Sequence, residues 1–358
     1  MGRHGWLKGW LTCRCWRSID HYGRYSTCNA RDLTSVHNSL INSLLAQGLQ
    51  KRGQGFPKTV IVSVTIVLNK HSKQAEVFSL SQIYVGCELE YALTSTTTFL
   101  FNVDVSKTDC QQVIQENLTI NPAIVAERLE IGLEKNSAHR CVVQPGSFLI
   151  RYEATVDLTA EIDFANALSE QPYKELPQEV IPYVNPSRYC ESDLLGNFSI
   201  REFAKSPQGL LRVKSICDWI FNNISYVSGS TDSQTTARDV FVQRQGVCRD
   251  FAHLAITLCR GLGIPARYVC GYAVSLQPPD FHGFFEAYLG ERWYLFDATK
   301  MAPIGGFVRI ATGHDAADVP FATFVGAAQL KSKKVWATLP EGSFAPAPIS
   351  DQAAISTV

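Results

Sequence analysis

The sequence has no run approaching the roughly 18 consecutive apolar residues that a membrane-spanning helix needs. Its longest apolar stretch, Thr59 to Leu68, is ten residues rich in β-branched side chains and is expected to be a strand. Charge of either sign is not in excess: 33 Lys plus Arg balance 33 Asp plus Glu, which excludes a strongly basic nucleic-acid binder and an acidic tail protein. No Cys-x-x-Cys pair occurs among the 11 cysteines; Cys13 and Cys15 form only a Cys-x-Cys, so neither a zinc ribbon nor a disulfide scaffold is indicated. The segment Met1 to Trp16 has basic residues but no continuous apolar core, so it does not read as a secretory signal. Trp6 stands where an N-myristoylation pattern needs Ser or Thr. These features together lead to the expectation of a cytoplasmic protein, with neither membrane nor nucleic acid as a partner.

Cofactor signatures are equally sparse. Gly305-Gly306 is isolated and Gly261-x-Gly263 closes a helix instead of opening one, so no phosphate-binding loop is present. No Asp-x-Asp-x-Asp-Gly calcium loop occurs, and His314 with Asp315 and Asp318 lacks a convincing metal-ligand set. No cofactor and no metal are expected.

The length of 358 residues suggests two domains, and 46% hydrophobic residues suffice for a buried core. Residues 1–55 are rich in Arg, Trp and Cys, poor in acids and weakly periodic. Residues 1–80 are expected to be an extension, largely disordered or the product of a misassigned start. Residues 81–168 read as a β-rich domain. Phe148, Ile150, Tyr152, Ala154, Val156 and Leu158 alternate with polar residues at a period of two, and Phe99, Phe101, Val103 and Val105 alternate with Leu100, Asn102 and Asp104. Pro172, Pro177, Pro182 and Pro186 mark a linker over 169–187. Residues 188–330 then form an α+β core, with 331–358 as a C-terminal tail. Within the core, Ser206-Pro207 predicts a helix start, and a second helix is expected from Cys248 to about Arg260, stopped by Gly261, Gly263 and Pro265. Strands are expected over 266–274, 282–289 and 292–298.

Cys248 stands where a glycine turn meets an apolar helix, which places a thiol at a helix N-terminus; the dipole and free N–H groups there favour thiolate. Leu289-Gly290-Glu291-Arg292 fits a two-residue hairpin of type II′. In that register residue 284 opposes 297 and 282 opposes 299, so His282 and Asp297 share a face as diagonal neighbours. A three-residue loop would separate them onto opposite faces. Taken singly, each residue has a plainer explanation: a buried thiol, a surface histidine, a strand-end carboxylate. Together they form the set that thiol catalysis needs, a nucleophile, a base and an acceptor that orients the base.

The stretches Gly246-Val247-Cys248-Arg249-Asp250-Phe251-Ala252-His253 and Gly263-Ile264-Pro265-Ala266-Arg267-Tyr268-Val269 resemble the core of the bacterial transglutaminase-like superfamily. So do Asp280-Phe281-His282, Phe285-Glu286-Ala287-Tyr288 and Trp293-Tyr294-Leu295-Phe296-Asp297-Ala298-Thr299. The resemblance spans about Tyr84 to Phe324. It implies a papain-like α+β core behind an antiparallel β-sandwich-like domain, and an activity like that of the cysteine proteases described in the family. Carried over, Cys248 is the nucleophile, His282 the base and Asp297 its orienter, acting on a peptide or protein amide through a thioester. An oxyanion hole needs two donors. The Cys248 N–H is one; Tyr226, Gln243 and Gln245 are the candidates for the other. Asp250 and Glu286 are taken as structural or cleft-lining groups, since a carboxylate beside a thiol raises its pKa. A non-catalytic binding protein and a cross-linking transglutaminase are the competing readings.

Overall fold

The computed structural model describes residues 76–358 except 342, 344, 345, 347 and 348. The strand expected at Thr59–Leu68 and most of the expected extension lie outside the described residues. The extension nevertheless ends sooner than expected, because the first strand already begins at Glu76.

Six strands come first: β1 (Glu76–Leu93), β2 (Thr97–Phe101), β3 (Gln111–Asn121), β4 (Glu127–Ile131), β5 (Asn136–Val143) and β6 (Gly146–Phe164). In β6 the even-numbered residues from Phe148 to Leu158 are buried, as their alternation requires. β1 and β6 pair over nearly their whole length. Phe99, Phe101 and Phe148 then stack between this long strand pair and β2, with ring centroids 5.0 to 6.0 Å apart. The alternation beyond Phe101 misleads. Asn102 and Asp104 are buried too, because β2 has ended; Asn102 donates to the Pro320 carbonyl (2.7 Å), and Asp104 accepts from His139 (2.8 Å).

The middle of the chain holds α1 (Ser192–Phe203), α2 (Leu210–Asn223), the short strand β7 (Ser225–Tyr226), α3 (Ala237–Gln243), the short strand β8 (Gln245–Gly246) and α4 (Cys248–Arg260). Strands follow: β9 (Ala266–Ala273), β10 (Phe281–Leu289), β11 (Arg292–Phe296), β12 (Phe307–Gly313), β13 (Ala322–Val325), β14 (Ala328–Thr338) and β15 (Ala353–Ser356). α2 starts later than Ser206-Pro207 predicts. Gly209, at φ 80°, turns the chain there, and its N–H is held by Glu170 Oε1 at 2.8 Å. α4 occupies the predicted span. It is buried on every side from Asp250 to Arg260, whereas the pattern suggested one apolar face; Asp250 and Arg260 are paired, Arg260 reaching the carbonyls of Asn185, Ala266 and His314, while Thr257 Oγ1 and His253 Nδ1 have no partner among the described residues.

The two expected domains share one sheet. Its order is β12-β9-β10-β11-β15-β6-β1-β14, with β3 also on β6; a four-stranded sheet β13-β2-β5-β4 packs beside it. Residues 331–358 are therefore not a tail. β14 borders β1, and β15 is the strand that joins β11 of the core to β6 of the long strand pair. Ile355, 1% exposed, sits between Leu295 and Ile162. Ile355→Ala is expected to cost about 2–5 kcal/mol in chemical denaturation, as for other buried aliphatic truncations. A loss below about 0.5 kcal/mol would contradict this role.

Candidate active site

α4 begins at Cys248 because Asp250 closes its first turn. The Asp250 carboxylate accepts the Val247 N–H at 2.9 Å and is fixed by Thr231 Oγ1 and Arg249. This cap points α4 at the ends of β10 and β11. The parallel pair β7–β8 sets Tyr226 opposite Gly246 alongside.

The β10–β11 hairpin has the two-residue loop that the sequence suggests, with Leu289 opposite Arg292 and Phe285 opposite Phe296. The turn itself differs: Gly290 (φ 53°) and Glu291 (φ 70°) are both left-handed, which is type I′ geometry and not II′. Both types give the same register, so His282 and Asp297 share a face. His282 Nε2 donates to Asp297 Oδ2 at 3.1 Å, with both side chains buried. The other ring nitrogen, Nδ1, is not used by Asp297, and Cys248 is near enough that thiol and imidazole shift each other's pKa.

Cys248, His282 and Asp297 thus converge. Burial opposes thiolate at Cys248. The hydrogen bond and charge of His282 and the Gly283 N–H outweigh it, and the thiol pKa lies below its ordinary value. Burial likewise opposes imidazolium at His282, but the bond to Asp297 and the thiol raise its pKa. The thiolate forms as pH climbs through the lowered Cys248 value. The imidazolium survives until pH climbs through the raised His282 value. Between the two values the site is an ion pair. Cys248 is also the single partly exposed cysteine of the eight described; the other seven are buried. Burial pushes Cys87, Cys190 and Cys270 up to about 12.

The candidate oxyanion donors separate. Burial and the nearby Cys248 thiol raise the Tyr226 pKa, which sets its ring beside the nucleophile. Gln243 is exposed at the end of α3 and Gln245 lies in β8 opposite Ser225. Glu286 is fully buried on β10 between Arg267 (2.7 Å) and Arg309 (3.2 Å), a structural place and not a cleft wall. His253 stacks on Tyr189 with centroids 5.0 Å apart and accepts the Ala316 N–H at 3.1 Å. His314 is bound to Asp318, and no cluster fit for a metal ion occurs among the described residues. No helix among the described residues is long and apolar enough to cross a membrane. Two contributors escaped the sequence reading. Gly283, whose backbone N–H helps lower the Cys248 pKa, leaves no sequence signal. Thr299, bound to Asp297, does leave one, since Asp-x-Thr is a common local side-chain–backbone motif.

Comparison with known proteins shows the family of the chain. Residues 198–298 match the family model of the transglutaminase-like superfamily, and residues 82–179 match that of the bacterial transglutaminase N-terminal domain. The chain belongs to the transglutaminase-like superfamily. The solved structure of a candidate cysteine protease from Cytophaga hutchinsonii is 39% identical, covers 78% of this chain and 99% of its own, and superposes with a TM-score of 0.75. An uncharacterized protein of Mycobacterium leprae is 30% identical over 128 residues, 33% of this chain and 46% of its own. An uncharacterized protein of Mycobacterium tuberculosis strain H37Rv is 30% identical over 143 residues, 34% of this chain and 45% of its own. The chain spans about half the length of these curated relatives.

Proposed function

We propose that the protein is a thiol-dependent amide hydrolase of cysteine-protease type, acting on peptide or protein amides through a Cys248 thioester. The observation that carries this reading is the paired chain Cys248–His282–Asp297, with the thiol pKa lowered and the imidazole pKa raised. The Cys248 thiolate attacks the amide carbonyl carbon. The oxygen takes the negative charge, between the Cys248 N–H and the Tyr226 hydroxyl. His282 gives its proton to the leaving nitrogen, the C–N bond breaks, and the amine departs. His282, neutral again, takes a proton from water; the water oxygen attacks the thioester, and the C–S bond breaks to release the acid. Asp297 holds the imidazole ring throughout. An amine in place of water would give acyl transfer by the same steps. The substrate is a peptide or protein; neither nucleic acid, membrane nor cofactor takes part. We place it in the cytoplasm, in keeping with eight described cysteines that are all free.

The test is incubation of the full chain with unfolded protein substrates, with and without a primary amine, read by peptide mass spectrometry. New peptide termini are expected. Conversion of glutamine to glutamate, or incorporation of the amine, would move the reading to side-chain deamidation or cross-linking. No product from any substrate, with His282→Ala leaving Cys248 alkylation at pH 6.5 unchanged, would favour a binding protein. The expectation is instead that His282→Ala slows that alkylation about tenfold or more, since the thiol pKa then rises by a unit or more.

A further inference from the structure

Asp297 has two carboxylate oxygens, and only Oδ2 faces His282. The other, Oδ1, accepts two hydrogen bonds from one residue: the Thr299 N–H at 2.8 Å and the Thr299 Oγ1–H at 2.7 Å. Thr299 Oγ1 also accepts the Met301 N–H at 3.2 Å, so its hydroxyl direction is set and its one hydrogen is committed to Asp297. The same Oγ1 lies 3.5 Å from His282 Nε2. Thr299 is 5% exposed, which leaves little room for water to replace it.

We infer that Thr299 is a positioning residue of the site: it locks the rotation of the Asp297 carboxylate so that Oδ2 stays on Nε2, and it gives the Nε2–H a second, longer acceptor. This rests on the triad reading above. A carboxylate held on one side only by a backbone N–H can swing about its Cβ–Cγ bond, and each departure of Oδ2 removes support from the imidazolium. The imidazolium in turn sustains the thiolate. Thr299 therefore acts on Cys248 through two intermediaries, without touching substrate.

The test is iodoacetamide labelling of the full chain from pH 5 to 9, mapped to Cys248 by digestion and mass spectrometry. Thr299→Val keeps the shape and removes the hydroxyl; Thr299→Ser keeps the hydroxyl and removes the methyl; Asp297→Asn is the reference. The Val variant is expected to raise the labelling midpoint by about one pH unit and to slow labelling at pH 6.5 about tenfold. The Ser variant is expected to stay within about twofold of the unaltered protein. If the Val variant does not fold, Thr299→Ala takes its place, with the same expectation. A Val or Ala variant with an unaltered midpoint, beside an Asp297→Asn variant whose midpoint shifts, would overturn the inference and leave the triad standing. A Ser variant as slow as Val would overturn it too, by showing that the methyl matters and not the hydroxyl. An unaltered protein without fast labelling at Cys248 would overturn both readings together.

Discussion

Cys248→Ala is expected to abolish amide turnover, with a loss of about 10⁴-fold or more, while the fold survives. The size follows from the logic of the site. A nucleophile that forms the covalent intermediate has no substitute, and the base and its orienter act only through it. The survival of the fold follows from position. Cys248 is the first residue of α4, partly exposed, and the helix start is held by Asp250 on the Val247 N–H, not by the thiol. Stability is expected to change by no more than about 1 kcal/mol, since alanine suits a helix end and leaves no buried cavity. Turnover assays alongside thermal unfolding read both quantities. Turnover in the variant near that of the unaltered protein would contradict the mechanism. A dead and unfolded variant would contradict the separation of catalysis from stability.

Glu286→Gln is expected to produce the largest loss of stability, about 3–5 kcal/mol. Glu286 is fully buried and holds Arg267 of β9 and Arg309 of β12, both of them buried as well. It thereby ties three neighbouring strands by charge. Burial opposes its ionisation, but the two guanidinium groups prevail and depress its pKa to about 2. Removing the carboxylate charge leaves buried Arg309 without an acidic partner among the described residues and buried Arg267 with Glu134 alone, at 3.1 Å. Acid is expected to reproduce the effect in part. The folded-state pKa lies below the unfolded one, so this contribution is whole above the unfolded value and declines as pH falls towards about 2. Denaturant unfolding at neutral pH measures the loss; a variant within about 1 kcal/mol of the unaltered protein would show that the network is dispensable.

Local signals carried the site better than they carried the architecture. The span of α4 was legible because Gly246 precedes it and Gly261, Gly263 and Pro265 close it. The pairing of His282 with Asp297 was legible because a two-residue loop leaves only one register, whichever primed turn it adopts. Long-range pairing was not. Nothing near Ile355 in the sequence says that it will lie between Leu295 and Ile162, some 60 and 190 positions away, so residues that close the sheet read as a tail. The burial of Asp104 was hidden for the same reason, since its partners His139 and Ser137 come from β5. Glu286 shows a related difficulty. A lone carboxylate in an apolar run is ambiguous until its two arginines, on β9 and β12 to one side of β10 in the sheet, are brought beside it.

The central claim is that Cys248 is an activated thiol held as an ion pair with His282. The most direct measurement is the pH dependence of its alkylation in the unaltered protein, mapped to the residue so that the cysteines outside the described residues are counted separately. The account predicts that Cys248 is labelled fastest at pH 6.5, with a midpoint well below the ordinary thiol value of about 8.5. A midpoint at or above that value, or labelling at pH 6.5 no faster at Cys248 than at other cysteines, would contradict it.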